Sequence, residues 1–200
     1  MGDIDIYLFD QIARGRFDDR RAVLDAGCGD GRNLVYLLSQ GVTCYGIDRD
    51  PVAVARVQAL AARLAPTLPA DHFVAGELDA LPWADATMDA VICSAVLHFS
   101  RDASHFLAQL TELWRVLAPG GLFFARLAST IGLELLRGTQ AGQRVRLPDG
   151  SDRFVVDEAL LLAWGERLGA ELLDPIKSTN VQETRAMTTW CLRKPARGAR

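Results

Sequence analysis

The sequence predicts an α/β fold in which most strands of the sheet are parallel and the C-terminal end of the sheet is antiparallel. From residue 22 to residue 125, short apolar runs alternate with helical patterns at intervals of roughly 20 to 30 residues, as in parallel sheets with right-handed crossovers. The run at residues 90–94 is apolar throughout, which is typical of a strand buried on both faces. The last two predicted strands are joined by a short polar link, and such a link indicates an antiparallel pair.

The individual elements follow from apolar spacing and from residues that begin and end helices. Asp50 and Pro51 fit an N-cap followed by the first helical residue, and Pro66 ends that helix. After Asp102, apolar residues recur at helical spacing. Helices are predicted at about 5–16, 33–40, 51–64, 102–117 and 157–168. Strands are predicted at about 22–26, 43–47, 72–75, 90–94, 122–125, 171–179 and 184–192.

Length and composition favour one globular domain over residues 1–200, with a small cap insertion at about 129–156. The 22 basic and 25 acidic residues give a net charge of −3, which indicates no nucleic-acid or anionic membrane partner. No apolar run is long enough to cross a membrane, and the first 20 residues show no signal peptide. The four cysteines form no close pair, so we expect reduced thiols in a cytoplasmic protein. The sequence does not indicate an oligomeric state.

A glycine-rich turn joins the first predicted strand to the next helix. The stretch VLDAGCGDGRN, residues 23–33, places glycines at positions 27, 29 and 31. Glycine lets the backbone adopt positive φ angles and lets a ligand approach closely, and the helix N-terminus beyond presents free N–H groups. The spacing is GxGxG, whereas a dinucleotide-binding turn has GxGxxG. The turn therefore predicts a ligand site of a different kind.

Acidic residues around the turn further restrict the kinds of ligand that could bind there. Asp25 and Asp30 would repel a pyrophosphate, whereas the ammonium of an amino-acid ligand can bind a carboxylate. Asp48 lies 21 residues after Gly27 at the end of the second predicted strand, the separation expected for a carboxylate that binds a ribose. A ligand with an amino-acid end and a ribose fits better than a dinucleotide.

From about residue 23 to residue 127, the sequence resembles the class I S-adenosylmethionine-dependent methyltransferases. Five segments carry the resemblance in the order of the family: VLDAGCGDGRN at 23–33, YGIDRD at 45–50, GELDALPW at 76–83, MDAVICSAVLHFS at 88–100 and ELWRVLAPGGLFFARL at 112–127. The resemblance implies a three-layer, Rossmann-like sheet of seven strands, mostly parallel, with an antiparallel C-terminal edge strand.

The resemblance also implies a cofactor, S-adenosyl-L-methionine, with S-adenosyl-L-homocysteine as its product. Asp48 would bind the ribose hydroxyls, and Asp25 would orient the ammonium directly or through water. Glu77 stands where the family usually has Asp, so a longer carboxylate would have to meet the adenine amino group. The expected cofactor-binding residues are Asp25, Gly27, Cys28, Gly29, Asn33, Asp48, Arg49, Glu77, Leu78 and Ser94.

The loop after residue 94 lies at the carboxyl edge of the sheet, where such folds bind ligands. It lacks the Asn/Asp-Pro-Pro-aromatic run typical of family members that methylate adenine or glutamine, and it lacks the acidic ligands of metal-dependent catechol-type enzymes. His98 could act as a general base, because its unperturbed pKa lies near 6.5, or it could pack or cap the next helix. His105 is interpreted as a surface or structural residue.

Arg126 ends the fifth predicted strand at the same edge, where it is either paired with an acid of the fold or directed at a substrate. We therefore predict His98 and Arg126 as substrate-binding residues and His98 as the candidate catalytic residue. No metal site is expected, because the histidines and cysteines lack the spacing of metal ligands.

Together these features predict transfer of a methyl group from S-adenosylmethionine to a small-molecule acceptor by in-line displacement, with proximity and exclusion of water as the main contributions of the protein. Three alternatives remain: a non-catalytic S-adenosylmethionine-binding regulatory module, a transferase of an aminopropyl group, and a nucleic-acid methyltransferase. The second would need an acidic pocket for a polyamine, and the acidic pI disfavours the third. Arginines in the insertion favour an anionic or polar acceptor.

Overall fold

The computed structural model describes residues 3–196, in which there are five α-helices and ten β-strands. The helices are α1 (Ile6–Ala13), α2 (Val35–Ser39), α3 (Pro51–Leu64), α4 (Ala103–Val116) and α5 (Glu158–Arg167). The strands are β1 (Ala22–Ala26), β2 (Thr43–Asp48), β3 (Phe73–Ala75), β4 (Met88–Ser94), β5 (Leu117–Ser129), β6 (Gln143–Arg146), β7 (Asp152–Val155), β8 (Glu171–Leu172), β9 (Lys177–Val181) and β10 (Arg185–Arg193).

The main sheet has the order β3-β2-β1-β4-β5-β10, with β8 and β9 sharing the seventh position beside β10. The first five of these strands are parallel, and β10 runs antiparallel to β5. The predicted mostly parallel sheet with an antiparallel C-terminal end is therefore confirmed. The C-terminal strand lies one place in from the edge, because β8 and β9 cover it. They divide the strand predicted at 171–179 around Pro175, which has no N–H to donate.

The strand order places the candidate site at the centre of the sheet. The chain moves outwards from β1 to β3 on one side and then returns to β4 on the other side of β1. Loops that follow β1 and β4 therefore diverge at their carboxyl ends and leave a crevice at this topological switch point. The glycine turn and the loop after β4 both lie there.

Two apolar layers cover the sheet, as a three-layer fold requires. Successive residues of a strand point to opposite faces, so Val91 packs with α4 and α5 while Ile92 packs with α1, α2 and α3. The first layer is rich in aromatic rings, and Phe106 stacks on Trp164 at a centroid distance of 4.3 Å. Burial on both faces explains why β4 contains apolar residues almost throughout.

Two of the elements that differ from the predicted boundaries do so for clear local reasons. The helix expected at 33–40 begins only at Val35, because residues 31–34 form turns and the Asn33 side chain bonds another segment. The strand expected at 122–125 is longer and spans Leu117–Ser129. Residues 118–121 are accommodated by an irregularity in the pairing of β4 with β5.

The insertion contains a β-hairpin. Strands β6 and β7 pair antiparallel and form a sheet of their own, which we call the cap hairpin (residues 143–155). Within residues 3–196 no helix has the length and apolarity needed to cross a membrane. All four cysteines are buried and free.

Candidate active site

Two adjoining cavities lie at the carboxyl ends of the parallel strands. The first, which we call the turn cavity, has a volume of about 440 Å³ and is lined by the ends of β1, β2, β3 and β4 and by α4. The second, which we call the cap cavity, has a volume of about 290 Å³ and lies between β5, β10 and the cap hairpin. Ala95 and Phe99 line both cavities, so a group bound in one lies next to a group bound in the other.

The glycine turn is shaped by two close approaches. Gly27 has a φ angle of +78°, and a Cβ added there would lie 2.3 Å from Cγ2 of Val96. Gly31 has a φ angle of +85°, and its added Cβ would lie 2.6 Å from Cγ2 of Val57 in α3. Side chains at these positions would therefore push the turn away from the loop after β4 or from the neighbouring helix.

Asp48 is held in one orientation by backbone donors. Its Oδ2 accepts a hydrogen bond from the Gly29 N–H at 2.9 Å, and its Oδ1 accepts one from the Asp50 N–H at 3.0 Å. The carboxylate lines the turn cavity. Because each oxygen accepts only one of these bonds, acceptor capacity remains for hydroxyl groups of a ligand.

Asp25 is a buried carboxylate with no hydrogen-bond partner for either oxygen in the described part of the chain. Burial raises its pKa to about 7, and the Asp48 charge acts in the same direction, whereas Arg32 and Asn33 lower it. Buried polar atoms are ordinarily bonded, so an unpaired buried carboxylate in β1 indicates a missing cationic or hydrogen-bonding partner.

The predicted cofactor-binding residues fall into two groups. The residues that line the turn cavity are Gly27, Asp48, Arg49, Glu77, Leu78 and Ser94. The others are not among the residues that line this cavity: Asp25, Cys28, Gly29 and Asn33. Burial raises the pKa of the Cys28 thiol, whose Sγ packs close to Gly46, so only the backbone of Cys28 is suited to bind a ligand.

Several residues of the turn cavity were not predicted. Phe99 is 43% exposed and has two guanidinium groups near its ring, with the Arg153 Cζ at 4.7 Å and the Arg49 Cζ at 6.0 Å from the ring centroid. His105 and Gln109 of α4 also line the cavity, and His105 Nε2 lies 3.5 Å from Asp79 Oδ2. The sequence offers a weak signal for Phe99, an aromatic residue beside His98 in the loop after β4.

The charged lining of the cap cavity is mostly cationic. Arg126, Arg153 and Arg185 line it together with one acidic residue, Asp149, and with His98. Burial, followed by the charges of Arg153, Arg126 and Arg185, lowers the pKa of His98 to about 3, and its Nδ1 has no hydrogen-bond partner among the described residues. His98 is therefore neutral at pH 7, and the arginines favour an anion in this cavity.

The sequence left open whether Arg126 pairs with an acidic residue of the fold or is directed at a substrate, and its position is compatible with both. Its Nη1 donates to Oδ2 of Asp5 at 3.1 Å, and the residue also lines the cap cavity. The same Asp5 oxygen accepts a hydrogen bond from Ser94 Oγ at 2.8 Å. Asp5 was not predicted as a site residue, because no local pattern connects it with strands that lie about a hundred residues away.

The side chains in and beside the turn cavity have the chemistry needed to bind an amino-acid nucleoside. Asp48 offers fixed carboxylate oxygens for hydroxyl groups, Asp25 offers an unpaired buried carboxylate for an ammonium, and Leu78 offers a buried apolar surface. No group of three His, Cys, Asp or Glu side chains in residues 3–196 could hold a metal ion.

Comparisons with known proteins agree with this geometry. A family described as "Methyltransferase domain" matches residues 24–125. A protein of Pseudescherichia vulneris named malonyl-[acyl-carrier protein] O-methyltransferase is 32% identical over 154 residues, which are 75% of this chain and 56% of that protein. The chain spans about half the length of the curated relatives that it matches.

Solved structures share the fold. An S-adenosylmethionine-dependent methyltransferase of Methanosarcina mazei has a TM-score of 0.73 at 20% identity, over 92% of this chain and 97% of that one. The 1,6-didemethyltoxoflavin-N1-methyltransferase of Burkholderia thailandensis, solved with 1,6-didemethyltoxoflavin and S-adenosylhomocysteine, has a TM-score of 0.70 at 20% identity. That match covers 92% of this chain and 75% of that one.

Proposed function

The chain belongs to the class I S-adenosylmethionine-dependent methyltransferases, and we propose that it transfers a methyl group from S-adenosylmethionine to a small-molecule acceptor held in the cap cavity. The observation that carries this proposal is the common wall of the two cavities, formed by Ala95 and Phe99. A cofactor in the turn cavity and an acceptor in the cap cavity would meet at this wall. The free cysteines support the cytoplasm as the compartment.

The turn cavity would hold the cofactor through residues already described. When bound, S-adenosylmethionine supplies a sulfonium methyl group that is activated for in-line displacement. Asp48 binds the ribose hydroxyls with oxygens held by the Gly29 and Asp50 N–H groups. Asp25 balances the positive charge of the cofactor's ammonium group. The absence of a side chain at Gly27 keeps the turn close to Val96.

The protein contributes alignment more than proton transfer. His98, with its pKa lowered to about 3, holds a proton poorly and is better suited to contact the acceptor than to act as its base. An acceptor that arrives as an anion needs no base. The arginines of the cap cavity stabilise such an anion, and Phe99 restricts water at the junction of the cavities.

An acceptor with a free carboxylate is the finer form of this proposal. Curated relatives from Pseudescherichia vulneris and Erwinia billingiae are named malonyl-[acyl-carrier protein] O-methyltransferases. Three arginines in the cap cavity suit a carboxylate nucleophile attached to a thioester, because guanidinium groups bind carboxylates well. The same charges count against a polyamine acceptor and thus against aminopropyl transfer.

Methyl-labelled S-adenosylmethionine tests the proposal. The protein is incubated with malonyl-coenzyme A, with acetyl-coenzyme A as the matched compound that lacks the carboxylate, and with a small-molecule cell extract. We expect label on malonyl-coenzyme A and none on acetyl-coenzyme A. Label on other extract compounds alone would refute the carboxylate-thioester acceptor and retain small-molecule methylation.

Calorimetry with S-adenosylhomocysteine, together with the same labelling reaction in a complete cell extract that contains proteins and nucleic acids, separates the remaining alternatives. If the protein binds this compound but labels nothing in the complete extract, it is a regulatory binding module. Label recovered only in the nucleic-acid fraction would overturn the small-molecule proposal.

A further inference from the structure

We propose that Asp5 is a positioning residue that holds Arg126 in the acceptor site and connects it to the cofactor side. This inference rests on the proposed function, because it concerns the arginine of the cap cavity. Its structural part can nevertheless be tested without any acceptor. Asp5 lies on the N-terminal side of the glycine turn in the sequence and belongs to none of the recognised motifs.

The two oxygens of the Asp5 carboxylate have separate partners. Oδ1 accepts hydrogen bonds from the N–H groups of Tyr7 and Leu8, at 2.9 and 3.4 Å, and so caps α1. Oδ2 accepts from Ser94 Oγ at 2.8 Å and from Arg126 Nη1 at 3.1 Å. One oxygen therefore begins the helix, while the other bonds two site residues.

These two site residues line different cavities. Ser94 lines the turn cavity and Arg126 lines the cap cavity. The backbone N–H of Asp5 also donates to Oδ1 of Asn33, at 3.1 Å, just after the glycine turn. Asp5 thus connects the glycine turn, the end of β4 and Arg126.

Burial makes this arrangement rigid. The Asp5 side chain is 0% exposed and that of Arg126 is 21% exposed, so the pair is shielded from most solvent competition. The Arg126 guanidinium also lies 5.0 Å above the Tyr7 ring, and the Tyr7 hydroxyl bonds Oγ1 of Thr179 in β9. The N-terminal segment therefore determines where the charge of Arg126 is directed.

The variant Asp5→Asn separates the two roles of Asp5. If the amide oxygen keeps the helix cap, the amide NH₂ replaces Oδ2 and faces the Arg126 donor, so the ion pair is lost. Asparagine is also a favourable N-cap, which preserves α1. Asp10→Asn is the matched control on the same helix, because Asp10 pairs with Arg14 at the surface.

The first readout is the Nε–H signal of Arg126 in nitrogen-15 spectra, assigned by its loss in Arg126→Gln. This Nε is buried and has no partner within residues 3–196, so we expect slow exchange with water in the unaltered protein. In Asp5→Asn we expect exchange at least tenfold faster, whereas Asp10→Asn leaves it unchanged. An unchanged Arg126 signal in folded Asp5→Asn would overturn the proposal.

The second readout is kinetic and uses malonyl-coenzyme A. Asp5→Asn is expected to raise KM for this acceptor at least tenfold, with the affinity for S-adenosylhomocysteine changed less than twofold. The double variant Asp5→Asn/Arg126→Gln should have the KM of Arg126→Gln alone, because Asp5 acts through Arg126. If the increases in KM of the two single variants add in the double variant, Asp5 does not act through Arg126.

The two readouts keep the proposals distinguishable. If malonyl-coenzyme A is not methylated, the proposed acceptor fails and the Arg126 signal still decides the role of Asp5. If Asp5→Asn keeps the stability that Asp5→Ala loses and leaves the Arg126 signal unchanged, Asp5 is a helix cap only and the inference is wrong.

Discussion

Asp25 is a buried acidic side chain whose ionised form is unfavourable in the fold without a ligand. Its carboxylate is fully buried, and neither oxygen has a hydrogen-bond partner in the described residues. Burial is the main reason that its pKa rises to about 7, from an ordinary value of 3.8. A group with a raised pKa in the folded state stabilises the fold below its ordinary pKa, and this contribution is lost as the pH rises through 7.

Asp25→Asn should therefore stabilise the protein without ligand at high pH and weaken cofactor binding. The pKa difference corresponds to about 4 kcal/mol at most, so we expect a gain of about 2 to 4 kcal/mol at pH of about 8.5 and little change near pH 4. Urea unfolding at both pH values measures the gain. Equal effects at the two pH values would show that Asp25 is not the titrating group.

For the same variant, calorimetry with S-adenosylhomocysteine should show at least tenfold weaker binding at about pH 8, equal to about 1.4 kcal/mol. Stabilisation together with weaker binding is the behaviour of a ligand-binding residue, since a purely structural residue would lower stability on substitution. Unchanged affinity would remove Asp25 from the cofactor site.

Asp48→Ala tests the ribose assignment. The substitution removes the carboxylate that is held by the Gly29 and Asp50 N–H groups, and we expect S-adenosylmethionine affinity to fall at least tenfold, about 1.4 kcal/mol. Asp89→Ala is the matched control, because Asp89 Oδ2 accepts from the N–H groups of Arg21 and Ala22 but lies far from the cavity lining. If both variants bind alike while remaining folded, the assignment is wrong.

At the scale of elements, Arg144 bonds the cap hairpin to the loop after β4, in addition to the packing of the buried Phe154 against Phe106. Arg144 Nη1 donates to the Ser100 carbonyl at 3.2 Å, and Nη2 donates to the Asp152 carbonyl at 3.0 Å. The first bond joins the hairpin to the loop after β4, and the second joins the two strands of the hairpin. The hairpin in turn carries Arg153 above the Phe99 ring, so its position determines the shape of the cap cavity.

Arg144→Ala should therefore loosen the acceptor side and leave the cofactor side intact. The lost hydrogen bonds are worth about 1 kcal/mol, so we expect KM for malonyl-coenzyme A to rise roughly fivefold while S-adenosylhomocysteine affinity changes less than twofold. Arg146→Ala is the control, because Arg146 pairs with Asp152 on the exposed face of the same hairpin. An equal rise in both variants would indicate a charge effect and not a positional one.

Local patterns were enough to predict residues that line the turn cavity, and His98 and Arg126 in the cap cavity, but not the residues that join them from distant parts of the chain. The ends of β1 and β2, with Gly27 and Asp48, follow from runs of neighbouring residues. Arg185 and Asp5 reach the site from the far ends of the chain, and the pairing that brings them there has no local signature. Turn spacing predicts local geometry, whereas these contacts depend on the register of β10 and the docking of α1.

At the scale of the whole molecule, Asp174 joins the start of the chain to the antiparallel edge of the sheet. It lies between β8 and β9 and accepts two hydrogen bonds from Arg16, at 2.8 and 3.0 Å, and one each from Gln11 and Arg14. Burial alone would raise its pKa, but the Arg16 and Gln11 hydrogen bonds and the nearby arginine charges lower it overall. This cluster anchors the C-terminal end of α1, whose N-terminal end carries Asp5.

Asp174→Asn should accordingly weaken the fold in a pH-dependent way. Hydrogen bonds to charged groups are worth about 1.5 to 3 kcal/mol, so we expect a loss in this range from the free energy of unfolding at pH 7. Because the pKa of Asp174 is lowered, the contribution is present above the ordinary pKa of an aspartate and disappears as the pH falls through the lowered value. The two proteins should therefore become equally stable under strongly acidic conditions.

Urea unfolding between about pH 2 and pH 7 measures the difference in unfolding free energy between Asp174→Asn and the unaltered protein. Glu134→Gln is the control, because Glu134 forms an exposed ion pair with Arg137. The control should change the free energy of unfolding by less than about 0.5 kcal/mol at any pH.

If Asp174 also sets the position of Asp5 through α1, Asp174→Asn should speed exchange of the Arg126 Nε–H in the folded protein. An unchanged signal would mean that α1 is held at its two ends independently, and that Asp5 needs no support from the far edge of the sheet.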